Sequence, residues 1–188
     1  MTPVPEPYQP ATAALLRKMT PPGTPPLALF TTLARNAALA DAVHGLGAHQ
    51  LRRTLSLSLR DREILIDRTC VRCGCEYEWG VHITHFAARA DLTSDQTRSL
   101  LAGTSSDPCW TSERDRVLID VVDALCLDHD IDDALWARAS AELDDPQLLD
   151  ALVLCGWYQA VCFVATATRL EPEPGAARFA AFLEGDLS

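Results

Sequence analysis

From Ala151 to Thr168 the chain reads ALVLCGWYQAVCFVATAT, eighteen consecutive residues without a charge. A run of this length and composition meets the criterion for a membrane span. Gln159 at its middle, Asp150 and Arg169 tight against its borders, and the lack of a second such run favour another solution. That solution is a helix buried on all sides within a helical assembly. No membrane is expected as a partner.

The rest of the chain has to supply what surrounds such a helix. Its 188 residues suffice for one domain with a sizeable core and fall short of two. Eight of the twelve prolines lie in the first 26 residues, so 1–26 is expected to be an extended arm whose only helical suggestion is ATAALLRKM. From Leu27 the apolar period is helical. Ser58 or Asp61 can cap LRDREILIDRTCVRC, Gly74 breaks it, and CEYEWGVHITHFAARA starts a new helix near Cys75. Thr93 or Ser94 caps the next helix, Thr111 the one after, and Asp145 with Pro146 opens the long final helix, which is expected to run to Leu170. No stretch alternates with a strand period. The expected fold is all-α, with one helical domain over 27–172 and a tail over 173–188.

A net charge of −10 argues against nucleic acid, which rewards basic patches. The N-terminus carries no basic and apolar leader pattern, so a cytoplasmic location is expected. Seven cysteines are then expected as mostly reduced thiols, with Cys126, Cys155 and Cys162 serving as small core hydrophobes.

The chemistry-bearing residues concentrate in CVRCGCEYEWGVH, residues 70 to 82. On a helix at about 100° per residue, Cys75, Glu78, His82 and His85 fall within a sector of roughly 80°. A thiol, a carboxylate and two imidazoles on one stripe either face water or make a site. Cys70-x-x-Cys73 has the spacing of half a zinc site, but no second CxxC or HxxxH pair exists, so no metal is expected. No other cofactor is expected either.

These residues carry a resemblance. The AhpD signature places a glutamate, eleven residues, a cysteine, two residues, a second cysteine, three residues and a histidine in order. Here Glu63 precedes Cys75 by twelve positions, Glu78 stands where the second cysteine would be, and His82 closes the pattern. RDREILIDR and CEYEWGVH are similar to the decarboxylase-like branch of the carboxymuconolactone decarboxylase family, and the resemblance covers residues 27 to 172. It implies an AhpD-like helical domain assembling as a homo-oligomer, a trimer or hexamer. Such an assembly would help cover a final helix that a monomer of this size struggles to bury.

The family performs both peroxidase and decarboxylase chemistry. In AhpD-like enzymes the second cysteine attacks peroxide and the first resolves it. Glu78 can do neither. The resemblance therefore implies proton transfer to a small-molecule substrate, a carboxylic acid or lactone undergoing decarboxylation or isomerisation. His82 is the expected acid, Glu78 or Glu63 orients and reloads it, and Cys75 completes the catalytic set. Arg60, Arg62 or Arg68 is expected to hold a substrate carboxylate, with Tyr77, Trp79 and His85 as further substrate contacts. Two alternatives stay open: thiol-dependent hydroperoxide reduction through Cys75, and a non-catalytic oligomer whose polar stripe satisfies a subunit interface.

Overall fold

Most helices begin where a side chain can accept from the amides that a first helical turn leaves open. The computed structural model describes residues 1–52 and 54–183, and these hold α-helices and one 3₁₀ turn but no strand. α1 (Pro10–Met19) lies inside the proline-rich arm, where the hint of ATAALLRKM is borne out. α2 (Ala28–Leu33) and α3 (Ala37–Gln50) follow, α3 capped by Asn36. Its expected extension to Thr54 crosses Arg53, which lies outside the described residues. Ser58 caps α4 (Leu59–Arg72) in a reciprocal box with Asp61. α5 (Glu76–Phe86) starts after Cys75. The 3₁₀ turn Ala88–Ala90 leads to α6 (Ser94–Ala102), capped by Thr93.

Two expected caps move by one residue. Ser112, not Thr111, accepts from the Asp115 amide to open α7 (Glu113–Leu127). Asp144, not Asp145, caps α9 (Asp145–Ala167), because Gln147 at the third helical position closes a capping box with it. α8 (Asp133–Glu142) lies between them, and α9 stops at Ala167 because Arg169 turns to φ +60°. α10 (Phe179–Leu183) shows that the expected tail is partly helical; its residues 184–188 lie outside the described residues.

The largest correction concerns which helix is central. α9 was expected to be buried on all sides, yet Leu149, Val153 and Phe163 on one face are exposed, Phe163 by 67%. α9 is the one described helix long and apolar enough to cross a membrane, and 44% of that apolar window is buried inside the protein. The buried helix is α4, which packs against α5, α6, α7 and α9. Every residue from Asp61 to Cys70 is buried, including Arg62, Glu63, Asp67 and Arg68. Charges in that position must be paired or neutralised.

Candidate active site

The first turn after α4 sets the site. Cys73 and Gly74 end the helix in a Schellman motif: the Gly74 amide donates to Val71 O at 2.9 Å and the Cys75 amide to Cys70 O at 2.8 Å. Gly74 takes φ +62°, which glycine adopts at no steric cost. The chain reverses here, so α5 lies back along α4. Glu63 on α4 then meets His82 on α5.

Glu63 Oε2 and His82 Nδ1 are 2.7 Å apart, and His82 Nε2 lies 2.9 Å from the Tyr158 hydroxyl on α9. Burial and the neighbouring carboxylates hold the Tyr158 phenol protonated, so it donates to Nε2. Nδ1–H then donates to Glu63, and the chemistry of the partners fixes the tautomer. Burial raises the Glu63 carboxyl, but the His82 ring and the Arg62 guanidinium outweigh it and hold the group below the usual glutamate value. Arg62 Nε donates to Glu63 Oε1 at 2.9 Å, and its Nη1 donates to Leu51 O.

Glu78, one turn before His82, is 5% exposed, and its Oε1 has no hydrogen-bond partner. Burial is the main cause that pushes its carboxyl up to about 7, with His82 opposing and Cys75 and Glu173 adding to the shift. Cys75 moves the other way, down to about 6. The Cys162 thiol beside it is the largest cause, acting against burial, and the Glu78 and Tyr77 amides and Thr166 assist. The sulfur makes no close cap hydrogen bond with those amides, yet the open first turn of α5 favours the anion.

Of the expected residues, Glu63, Arg62, Glu78 and His82 come together, and Cys75 sits at the entrance to their helix. The others are engaged differently. Arg60 pairs with Asp115 and donates to the carbonyls of Ala90 and Asp91. Arg68 pairs with Asp123 and donates to Leu100 O and Gly103 O. His85 is exposed because it lies in the last turn of α5, beyond the cover of α9. Tyr77 accepts from the Leu29 amide and donates to Glu173, and Trp79, fully buried, packs edge-on to Phe179 and Phe182.

Three residues were not foreseen. Tyr158 completes the proton path. Asp67, one turn after Glu63, is fully buried with neither carboxylate oxygen bonded, and burial together with the Glu63 charge raises it well above the normal aspartate range. Cys162 touches the thiols of Cys70, Cys73 and Cys75. The period of RDREILIDR places Asp67 on the Glu63 face, and Tyr158 and Cys162 share a face of α9 at i, i+4 spacing.

Two surface depressions stand out, and neither is lined by His82 or Glu78. One of about 560 Å³ is framed by Arg60, Asp61, Arg114 and Asp115. The other, of about 280 Å³, is lined by Cys75, Tyr77, Thr166, Arg169 and Arg178 among others. Above α5 runs a strap over residues 171–178. Glu173 bonds Tyr77 and the Ala28 amide, the Ala177 amide donates to Thr84, and Arg178 pairs with Glu76. A Cβ at Gly80 would stand 2.5 Å from Ala177 O, so the strap rests directly on the helix backbone.

No family model and no curated protein matches the sequence. Solved structures do match. An uncharacterized peroxidase-related protein from Silicibacter superposes with a TM-score of 0.77 at 16% identity, over 95% of both chains. The debrominase Bmp8, solved as a cysteine-to-alanine variant with 2,3,4-tribromopyrrole, gives 0.72 at 14% identity over 97% of this chain and 95% of its own. A protein of unknown function from Agrobacterium tumefaciens, linked by its description to AhpD-type antioxidant defence, gives 0.67 at 17% identity over 76% of this chain and 95% of its own. The fold of this chain is AhpD-like.

Proposed function

We propose that this chain is an acid/base enzyme of the carboxymuconolactone decarboxylase type, transferring a proton to a small carboxylic acid or lactone during decarboxylation or isomerisation. One observation carries the reading: a buried carboxyl, Glu78, with a bare oxygen and a proton affinity near neutrality, beside a histidine fixed from both sides. Both nitrogens of His82 are occupied, so the group free to meet substrate is Glu78. This shifts the acid role from His82 to Glu78 and leaves His82 as its electrostatic support.

Loss of CO₂ from an activated carboxylate leaves an enolate-like carbanion. Protonated Glu78 delivers its proton to that carbon and becomes a carboxylate, which the adjacent His82 stabilises until water restores the proton. Arg62 and Tyr158 keep the Glu63–His82 pair in place. Glu173 of the strap lies close enough to Glu78 to raise its proton affinity, so the path to Glu78 runs beneath residues 171–178. The exposed stripe of α9 supports assembly as a homo-oligomer, a trimer or hexamer, through that face.

The test is a panel of β-keto acids and unsaturated lactone acids incubated in D₂O, with CO₂ release and deuterium incorporation followed by NMR. Incorporation is expected in the wild type and should fall by about a hundredfold to ten-thousandfold in Glu78→Gln. Unchanged turnover in Glu78→Gln would remove the reading.

A second reading, thiol-dependent reduction of a hydroperoxide, is favoured by the thiolate character of Cys75 at the rim of the 280 Å³ depression. The peroxidase-related neighbour gives it further support.

A further inference from the structure

Four sulfurs meet at the first turn of α5, one helical turn along α9 from Tyr158. Cys162 Sγ lies 3.8 Å from Cys70 Sγ and is within hydrogen-bonding reach of Cys73 and Cys75. The Schellman turn gathers the first three by folding Cys73 and Cys75 back over Cys70. α9 supplies the fourth.

The four thiols are unlike. Cys70 is fully buried, and burial pushes its thiol up to about 12, so at neutral pH it keeps its proton. Cys162 is raised strongly by its three sulfur neighbours and acts as the S–H donor among them. Cys75 receives that hydrogen bond, lies at the open first turn of α5, and faces the depression it shares with Thr166 and Arg169. Cys73 also reaches Cys162 but does not line the depression. A disulfide joining Cys73 to Cys75 across one glycine would be strained. Cys162 is the neighbour of Cys75 that avoids this.

We propose that Cys75 and Cys162 form a redox-active pair: a small hydroperoxide entering the depression oxidises Cys75, and Cys162 resolves it as a disulfide joining α5 to α9. The pair restores in three dimensions the partner thiol that Glu78 removes from the local sequence. It rests on the second, thiol-based reading. The Cys75 thiolate attacks the terminal peroxide oxygen. The S–O bond forms, the O–O bond breaks, and the alkoxide takes a proton from water to leave as an alcohol. Cys162 sulfur then attacks the Cys75 sulfenic acid. The S–S bond forms, the S–O bond breaks, and hydroxide leaves as water with the Cys162 proton. An external dithiol reduces the disulfide, becoming oxidised itself and returning both thiols. In sum, ROOH and a dithiol give ROH, water and the dithiol's disulfide.

The experiment oxidises the full chain with one equivalent of cumene hydroperoxide, blocks remaining thiols, and maps peptides by mass. The expected result is a Cys75–Cys162 cross-link, loss of two thiols per chain, and full reversal by dithiothreitol. Cys75→Ser and Cys162→Ser should each abolish the cross-link. In Cys162→Ser, Cys75 should run on to sulfinic acid, and its alkylation midpoint should rise from about 6 toward that of an ordinary cysteine. A Cys75–Cys73 cross-link, or direct conversion of wild-type Cys75 to sulfinic acid, would overturn the pair. A stoichiometric Cys75–Cys162 disulfide without catalytic hydroperoxide turnover would support the pair while removing the peroxidase reading.

Discussion

α4 and α9 invert the usual relation between hydropathy and burial. α4 contains RDREILIDR and is buried along ten consecutive residues, whereas α9 carries eighteen uncharged residues in sequence and shows Leu149, Val153 and Phe163 to solvent. The polar helix is tolerated inside because its charges have local answers. Asp61 pairs with Arg114, Arg62 with Glu63, Glu63 with His82, and Arg68 with Asp123. Asp67 has no such partner and is held neutral. A buried helix of this kind specifies chemistry more than it adds stability. An apolar helix left half outside instead offers a surface.

The comparison breaks first if α4 is not sustained by its pairs. Arg68→Ala removes a guanidinium that serves Asp123 and two backbone carbonyls. It should cost about 3–5 kcal/mol of unfolding free energy, the range for splitting a buried pair. Urea denaturation measures it, and a loss of under about 1 kcal/mol would show that Arg72 alone satisfies Asp123.

The next effect depends on pH. Glu78 binds its proton more tightly folded than unfolded, so stability falls as pH rises from the ordinary glutamate range through about 7. Glu78→Gln should therefore gain up to about 3 kcal/mol over the wild type at pH 8 and little at pH 4. Asp67→Asn should shift in the same direction. Glu63, held low by His82 and Arg62, has the opposite sign, its contribution being lost only as pH falls through its lowered value. Thermal unfolding at the two pH values separates them, and a Glu78→Gln gain equal at both would refute the assignment.

Tyr158→Phe tests the one contact through which α9 enters the proton path. Loss of its hydrogen bond to His82 Nε2 should cost about 1–2 kcal/mol. The His82 titration, followed by NMR, should change in Tyr158→Phe and stay unchanged in Cys162→Ser. The smallest effect on the subunit is expected from Phe163→Ser on the open face, within about 0.5 kcal/mol. Light scattering should nevertheless show a smaller assembly than the wild type. A wild type that is monomeric at micromolar concentration would leave the exposed stripe of α9 without the partner proposed for it.

Helix starts were legible because caps are local: Ser58 and Thr93 were readable three residues ahead of their partners. The grouping of Glu78 with His82 followed from helical period alone, and the Glu63 pairing from the resemblance. Tyr158 and Cys162 were hidden inside an apolar run, because their meaning depends on which face of α9 meets α5, and that is set by packing between distant segments. The three arginines of α4 looked equivalent in sequence, and only the neighbours supplied by α3, α6 and α7 tell them apart. The apolar run misled because length and hydropathy report a need for cover without saying whether the same chain provides it.

The contact of Gly80 with Ala177 O gives the strap an all-or-none character. At this point no side chain intervenes to compress, so the strap opens by local unfolding of residues 171–178, a cooperative excursion whose free energy is set by its polar anchors at Tyr77, Thr84 and Glu76. Native-state hydrogen exchange reads that free energy directly, through the Ala177 amide that donates to Thr84. A methyl at Gly80 would tilt the equilibrium toward the open form, so the exchange rate of one amide becomes a measure of how often the interior of α5 meets solvent.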